Sequence, residues 1–301
     1  MKTIGYEALL DISRRVNWRI DDIAGKDKTF DYSRPFLPET FARTGRLPFL
    51  SADDRLTLNH VRARGYAALF ELVEQFVEPF VLQESKIESG DGFRAVALEQ
   101  FAQEETKHRE LFRRVLKDFD DELGVACGVI GPAEDIRGAV LGHDPLAVLI
   151  LTLALEWMSQ GHFVESIKDD DQLDPHFKSL LKYHWMEECQ HARLDGLMLR
   201  EMAAGKSRAD IDRAIDEYLA LVKFFDGGFG EQTKLDLSGF EAARGSELSK
   251  SERETFLDVQ HQALRWTFLG SSMRNRNFLA NLADLGPGIS ERVSEAAELY
   301  Q

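Results

Sequence analysis

Two runs of the chain, FAQEETKHRELF from Phe101 and WMEECQHARLD from Trp185, carry Glu-Glu-x-x-His at the same spacing. On a helix, residues three and four apart share a face. The face through Glu105 reads Phe101, Glu105, His108, Phe112, Val115. The face through Glu188 reads Leu181, His184, Glu188, His191, Asp195, Met198. Both stripes are apolar apart from acids and imidazoles, so these groups are expected to point inward. A bare carboxylate in an apolar interior costs several kcal/mol unless it is paired or holds a cation. Neither stripe contains Lys or Arg, which leaves a metal ion as the counter-charge. Carboxylate with imidazole suits iron, manganese or zinc.

Two more acids complete the pattern. Glu156 sits on the apolar face Leu149, Thr152, Leu153, Glu156, Phe163, Ile167 and precedes Glu188 by 32 positions. Glu74 sits on the face Ala67, Phe70, Glu74, Val77, Val81 and precedes Glu105 by 31. Glu71 and Glu78 are its rivals, on a wetter face with Arg64 and Gln75. The expected ligands are therefore Glu74, Glu105, His108, Glu156, His184, Glu188 and His191. One Glu from each of two helices and a Glu-x-x-His from each of two others is the di-metal carboxylate pattern of a four-helix bundle. Glu104, Glu187 and Asp195 adjoin the ligands. Surface salt bridges are their commoner role; the alternative is to accept a hydrogen bond from a ligand histidine of the opposite helix. His162 reads as a rim residue and Cys189 as packing.

From about Leu50 to Met202 the sequence resembles the ferritin-like diiron carboxylate family. The run HWMEECQH, which places His184 four residues before Glu188, is closest to the para-aminobenzoate N-oxygenase group, whose members have an additional histidine ligand at this place. The resemblance implies two iron ions bridged by carboxylates, here Glu105 and Glu188, with dioxygen as co-substrate. It implies oxidation of a small organic molecule, an aryl amine in that group, fed by an external electron donor. Manganese or a mixed Mn/Fe pair satisfies the same ligands. The competing readings are iron storage or peroxide scavenging, and a metal-free helical interaction protein. No CxxC pair exists for a second iron centre.

These ligands need long helices, and the 3.6-residue period runs nearly throughout, with no strand pattern. Helices are expected over about Ile4–Asp21, Ser51–Gln83, Gly92–Asp120, from Asp144-Pro145 to the KDDDQLD run, and from Asp174-Pro175 to Ala204. Ser51, Asp144 and Asp174 are the N-caps. GVACGVIGPAEDIRG reads as a loop with at most one helical turn. Beyond Ala204 come a helix over Arg208–Phe225, a glycine-rich loop DGGFGEQ, a long helix over Lys250–Leu282 and a short last one. The expected fold is all-α: a ferritin-like four-helix bundle with additional N- and C-terminal helices. It forms a single domain over 1–301, with a di-metal core at 51–204 and an extension at 205–301 packed on it.

Composition narrows the function classes. The 301 residues carry a formal charge of −15, which gives nucleic acid and anionic lipid no electrostatic purchase. Cys127 and Cys189 make no disulfide framework. The N-terminus lacks the apolar run of a signal peptide, and the most apolar stretch, Pro145–Met158, is short for a membrane span. The sequence reads as cytoplasmic, acting on a small molecule, with a homodimer left open.

Overall fold

The computed structural model describes residues 4–25, 28–87 and 90–301, and they are all-helical, with no strand among them. In chain order the helices are α1 (Tyr6–Arg15), α2 (Ile20–Ile23), α3 (Glu39–Ala42), α4 (Ala52–Glu84), α5 (Arg94–Leu123), α6 (Ala133–Leu141), α7 (Pro145–Gly161), α8 (Pro175–Ala203), α9 (Arg208–Arg244), α10 (Lys250–Leu264), α11 (Ser271–Met273), α12 (Arg276–Ala283) and α13 (Ile289–Ala296). The expected caps form. Ser51 and Asp54 make a reciprocal capping box at α4. Asp144 accepts from Leu146 N at α7, and Asp174 from Phe177 N at α8. Each satisfies an amide that the first helical turn leaves without an intrahelical partner.

The four long helices pack as pairs, α4 along α5 and α7 along α8, and α5 also meets α8. α9 lies across α4 and α7. A buried Arg62–Asp236 ion pair at 2.7 Å fixes α9 to α4. An extensive apolar core runs from Tyr6 to Tyr300. A smaller one, around Phe240 and Phe256, joins α9 and α10 to the start of α4.

Several boundaries differ from expectation. The first helix stops at Arg15, and a single turn follows at α2, which leaves Trp18 in the break. GVACGVIGPAEDIRG contains the start of α6 rather than one turn. The DGGFGEQ run is no loop: α9 passes through it unbroken. One of its glycines, Gly228, admits a close neighbour. A Cβ on Gly228 would stand 3.2 Å from the Ile130 side chain, and one on Gly239, further along, 2.8 Å from Cys127 Sγ. Close packing here outweighs glycine's weak helix propensity. The long C-terminal helix is interrupted by a π-helical turn at Arg265–Gly270 and by Asn275, which caps α12.

α7 also continues into a π-helical turn, His162–Ile167. Pro145–Ile167 is thus 23 residues long and apolar enough to cross a membrane, but 83% of its most apolar window is buried inside the protein. It is the wall of a core that also encloses Glu156.

Candidate metal centre

α4, α5, α7 and α8 bring the seven expected ligands to one buried place. Two groups of ligand atoms lie close enough to hold a metal ion: Glu74, His108, His184 and Glu188, and Glu105, His108, Glu188 and His191. Glu156 stands just outside both, hydrogen-bonded to Glu188. The rivals of Glu74 on α4 have other partners. Glu71 pairs with Arg113 and Glu78 with Arg109, both away from the cluster, whereas Glu74 is buried 3.6 Å from His184 Nε2.

Glu105 and Glu188 each reach both histidines of the Glu-x-x-His pairs. Glu105 Oε1 lies 2.8 Å from His191 Nδ1 and its Oε2 3.4 Å from His108 Nδ1. Glu188 Oε1 lies 3.0 Å from His108 Nδ1 and its Oε2 3.3 Å from His191 Nδ1. The outer nitrogens point away from the centre. His108 Nε2–H donates to Glu187 at 2.9 Å, and His191 Nε2–H donates to Glu104 at 2.8 Å. Each acid serves the histidine of the opposite helix, so neither is a surface salt-bridge residue. The arrangement fixes the tautomer that turns Nδ1 inward.

Sequence reasoning missed the next layer. Ser13 of α1, Gln100 and Gln190 all donate to Glu104. Lys107 pairs with Glu187 and lies 4.0 Å over the Trp18 ring, and Trp18 stacks on His108 at 6.0 Å. Phe101 stacks on His191 at 3.9 Å, and Phe70 and Phe112 meet His184 edge-on. The apolar stripes signalled the phenylalanines. Nothing in the local pattern of α1 signals that its Ser13 meets Glu104, 91 residues on.

The remaining neighbours take other roles. Asp195 is buried and accepts from Thr152 Oγ1 at 2.9 Å; burial pushes its carboxyl up to about 8. His162 is not at the rim. Tyr66 O–H donates to its Nδ1 and its Nε2–H donates to Ser271, both at 2.9 Å, and burial lowers it to about 3. Cys189 donates to Gln160 at 2.7 Å.

The electrostatics are those of a concentrated acid cluster. Burial raises Glu74, reinforced by the charges of Glu105 and Glu188. Burial likewise raises Glu156, reinforced by Glu188. For Glu105, burial and the Glu188 charge are outweighed by a hydrogen bond from Glu74 and the charges of His191 and His108, so it is held low. For Glu188, burial is outweighed by the charges of His184 and His191 and a hydrogen bond from Glu156. Burial disfavours charge on His108 and His191, but Glu105 and Glu188 hold both well above the usual imidazole range. Within each acid pair one carboxyl keeps a proton and the other gives it up, because two adjacent charges in a dry site repel.

No known family model matches the chain, and no curated protein does. The donor set itself is the test of fit for a metal. Glu105 Oε1, Glu156 Oε2, Glu188 Oε1 and His184 Nε2 are buried with no hydrogen-bond partner among the described residues. Glu188 Oε1 and His184 Nε2 are only 2.9 Å apart, yet not in hydrogen-bonding alignment. Buried polar atoms left this way are costly, and cations held in the two groups would satisfy those of Glu105, Glu188 and His184. These buried His/Glu groups could hold a metal ion.

Proposed function

We propose that the cluster holds two iron ions and that the protein is a non-haem diiron oxygenase of the ferritin-like bundle type. It would use dioxygen to oxidise a small organic substrate, with N-oxygenation of an aryl amine as the specific form the sequence resemblance implies. The observation that carries the reading is a pair of overlapping donor groups, buried and sharing His108 and Glu188. Bound there, iron would supply reversible redox chemistry and open coordination positions for dioxygen.

The chain's own residues have definable tasks. Glu74, His108 and His184 would hold one ion, and Glu156 and His191 the other. Glu188, which belongs to both donor groups, would serve both ions, and Glu105, facing both His108 and His191, would complete the donor set. Glu104 and Glu187 keep the imidazoles oriented. Phe70, Phe101 and Phe112 exclude water from the donors. His184 would give one ion a second imidazole, which would leave that side of the centre less negative. Burial raises Glu74 and Glu156, and protons they hold in the metal-free site would leave as cations bind.

Metal analysis of protein produced in iron-rich medium should give about two ions per chain. Mixing the reduced, iron-loaded protein with oxygen and a panel of aryl amines should yield hydroxylamine or nitro products. Oxygen consumption without any oxidised amine would favour the iron-handling alternative. His184→Ala should abolish amine oxidation while one metal position stays largely filled. Full activity in that variant would remove His184 from the ligand set.

A further inference from the structure

The two Glu-x-x-His histidines are backed by different charges. On one side, Glu187 accepts from His108 Nε2–H and also forms an ion pair with Lys107. The Lys107 ammonium lies 4.0 Å over the ring of Trp18, which in turn stacks on His108. On the other side, Glu104 accepts from His191 Nε2–H at 2.8 Å. Its further partners are neutral: Ser13 Oγ at 2.5 Å, Gln190 Nε2 at 3.1 Å and Gln100 Nε2 at 3.2 Å. No Lys or Arg pairs with Glu104 among the described residues. Both acids are buried.

The difference has a direction. A carboxylate that accepts from the outer N–H of a ligand imidazole makes that imidazole a stronger donor. An ammonium in contact with the same carboxylate opposes this, because its charge acts through a poorly screening interior. Hydroxyl and amide donors fill the lone pairs and bring no charge. His191 is therefore backed by a whole negative charge and His108 by a neutralised one. The remaining donors lean the same way. His184 belongs only to the group with Glu74, and Glu105 only to the group with His191. We infer that Lys107, acting through Glu187, is a positioning residue that makes the two metal positions unequal. The ion beside His191 would load first and be held tightly; the ion beside His108 and His184 would be the exchangeable one. The inference rests on the two-metal reading and adds to it an order of occupancy.

Calorimetric titration of the metal-free full chain with manganese(II) reads both affinities without turnover. The parent should bind in two steps, the first about tenfold or more tighter than the second. His184→Ala should lose the weaker step alone, which assigns it; loss of the tighter step instead overturns the inference. Lys107→Met keeps an apolar contact on Trp18 and removes the charge. The weaker step should then strengthen toward the tighter one, while the tighter step stays where it was. Lys107→Gln is the second variant should the first fail to fold, and Lys107→Arg should restore the parent pattern. A lysine that merely held Glu187 in place would weaken the step when lost. That result, or two unchanged steps, overturns the inference, as does a parent that binds two ions with equal affinity. In each of these cases the two-metal reading survives. A parent that binds no ion, or only one, sinks both.

Discussion

Glu104 and Glu187 show how much of a candidate metal site depends on groups that would touch no metal. Each fixes a histidine from across the interface, and each is itself held, Glu104 by Ser13 and two glutamines, Glu187 by Lys107. Losing such a partner usually weakens metal binding by about 10–100-fold. Glu187→Gln and Glu104→Gln should do so while leaving the fold intact, as a competitive metal-chelator titration would measure. Unchanged affinity would reduce both acids to packing. The site's protons give a second expectation. Glu74 and Glu156 are raised by burial, and His108 and His191 by their acidic neighbours. The metal-free site therefore holds protons that cations must displace, and affinity should fall as pH falls. Calorimetry in two buffers of different ionisation enthalpy would count the released protons. A count of zero would contradict the assigned protonation.

The helices are built by rules that act over different distances. Caps at Ser51, Asp144 and Asp174 are local, and each formed where its sequence pointed. α9 is a case where a local rule loses. The glycines of DGGFGEQ suggested a break at Phe225, yet the helix runs to Arg244, with Gly228 and, further along, Gly239 packed close against Ile130 and Cys127. Two of these glycines predict opposite results. A Cβ on Gly227 meets nothing within 4 Å, so Gly227→Ala should stabilise by about 0.5–1 kcal/mol. A Cβ on Gly239 meets Cys127 Sγ at 2.8 Å, so Gly239→Ala should destabilise by about 1–3 kcal/mol. Urea unfolding of the two variants decides the matter. The same sign for both would remove close packing as the reason the helix continues.

For the whole molecule, the buried His/Glu cluster is the point where four helices are tied together. Cations bound there and absent from the unfolded chain would raise stability by mass action, about 2.7 kcal/mol at a free concentration one hundred times Kd. Thermal melts of metal-free protein with added manganese, or with ferrous ion under nitrogen, should shift upward. His108→Ala with His191→Ala should lose the shift, and a shift retained in that double variant would place the ion elsewhere. The sequence by itself determined the all-helical class and the identity of the inward-facing acids and imidazoles, because both follow from a 3.6-residue period and from the cost of burying charge. It also pointed to Glu74 over Glu71 and Glu78, since only the Glu74 face was dry. Tertiary structure alone decided that Glu104 and Glu187 cross over to the opposite histidines, that Ser13 and Trp18 of the N-terminal segment close the site, and that His162 joins Tyr66 rather than solvent. Those contacts span up to 96 residues, and no local period records which distant surfaces will meet when several helices compete for one core.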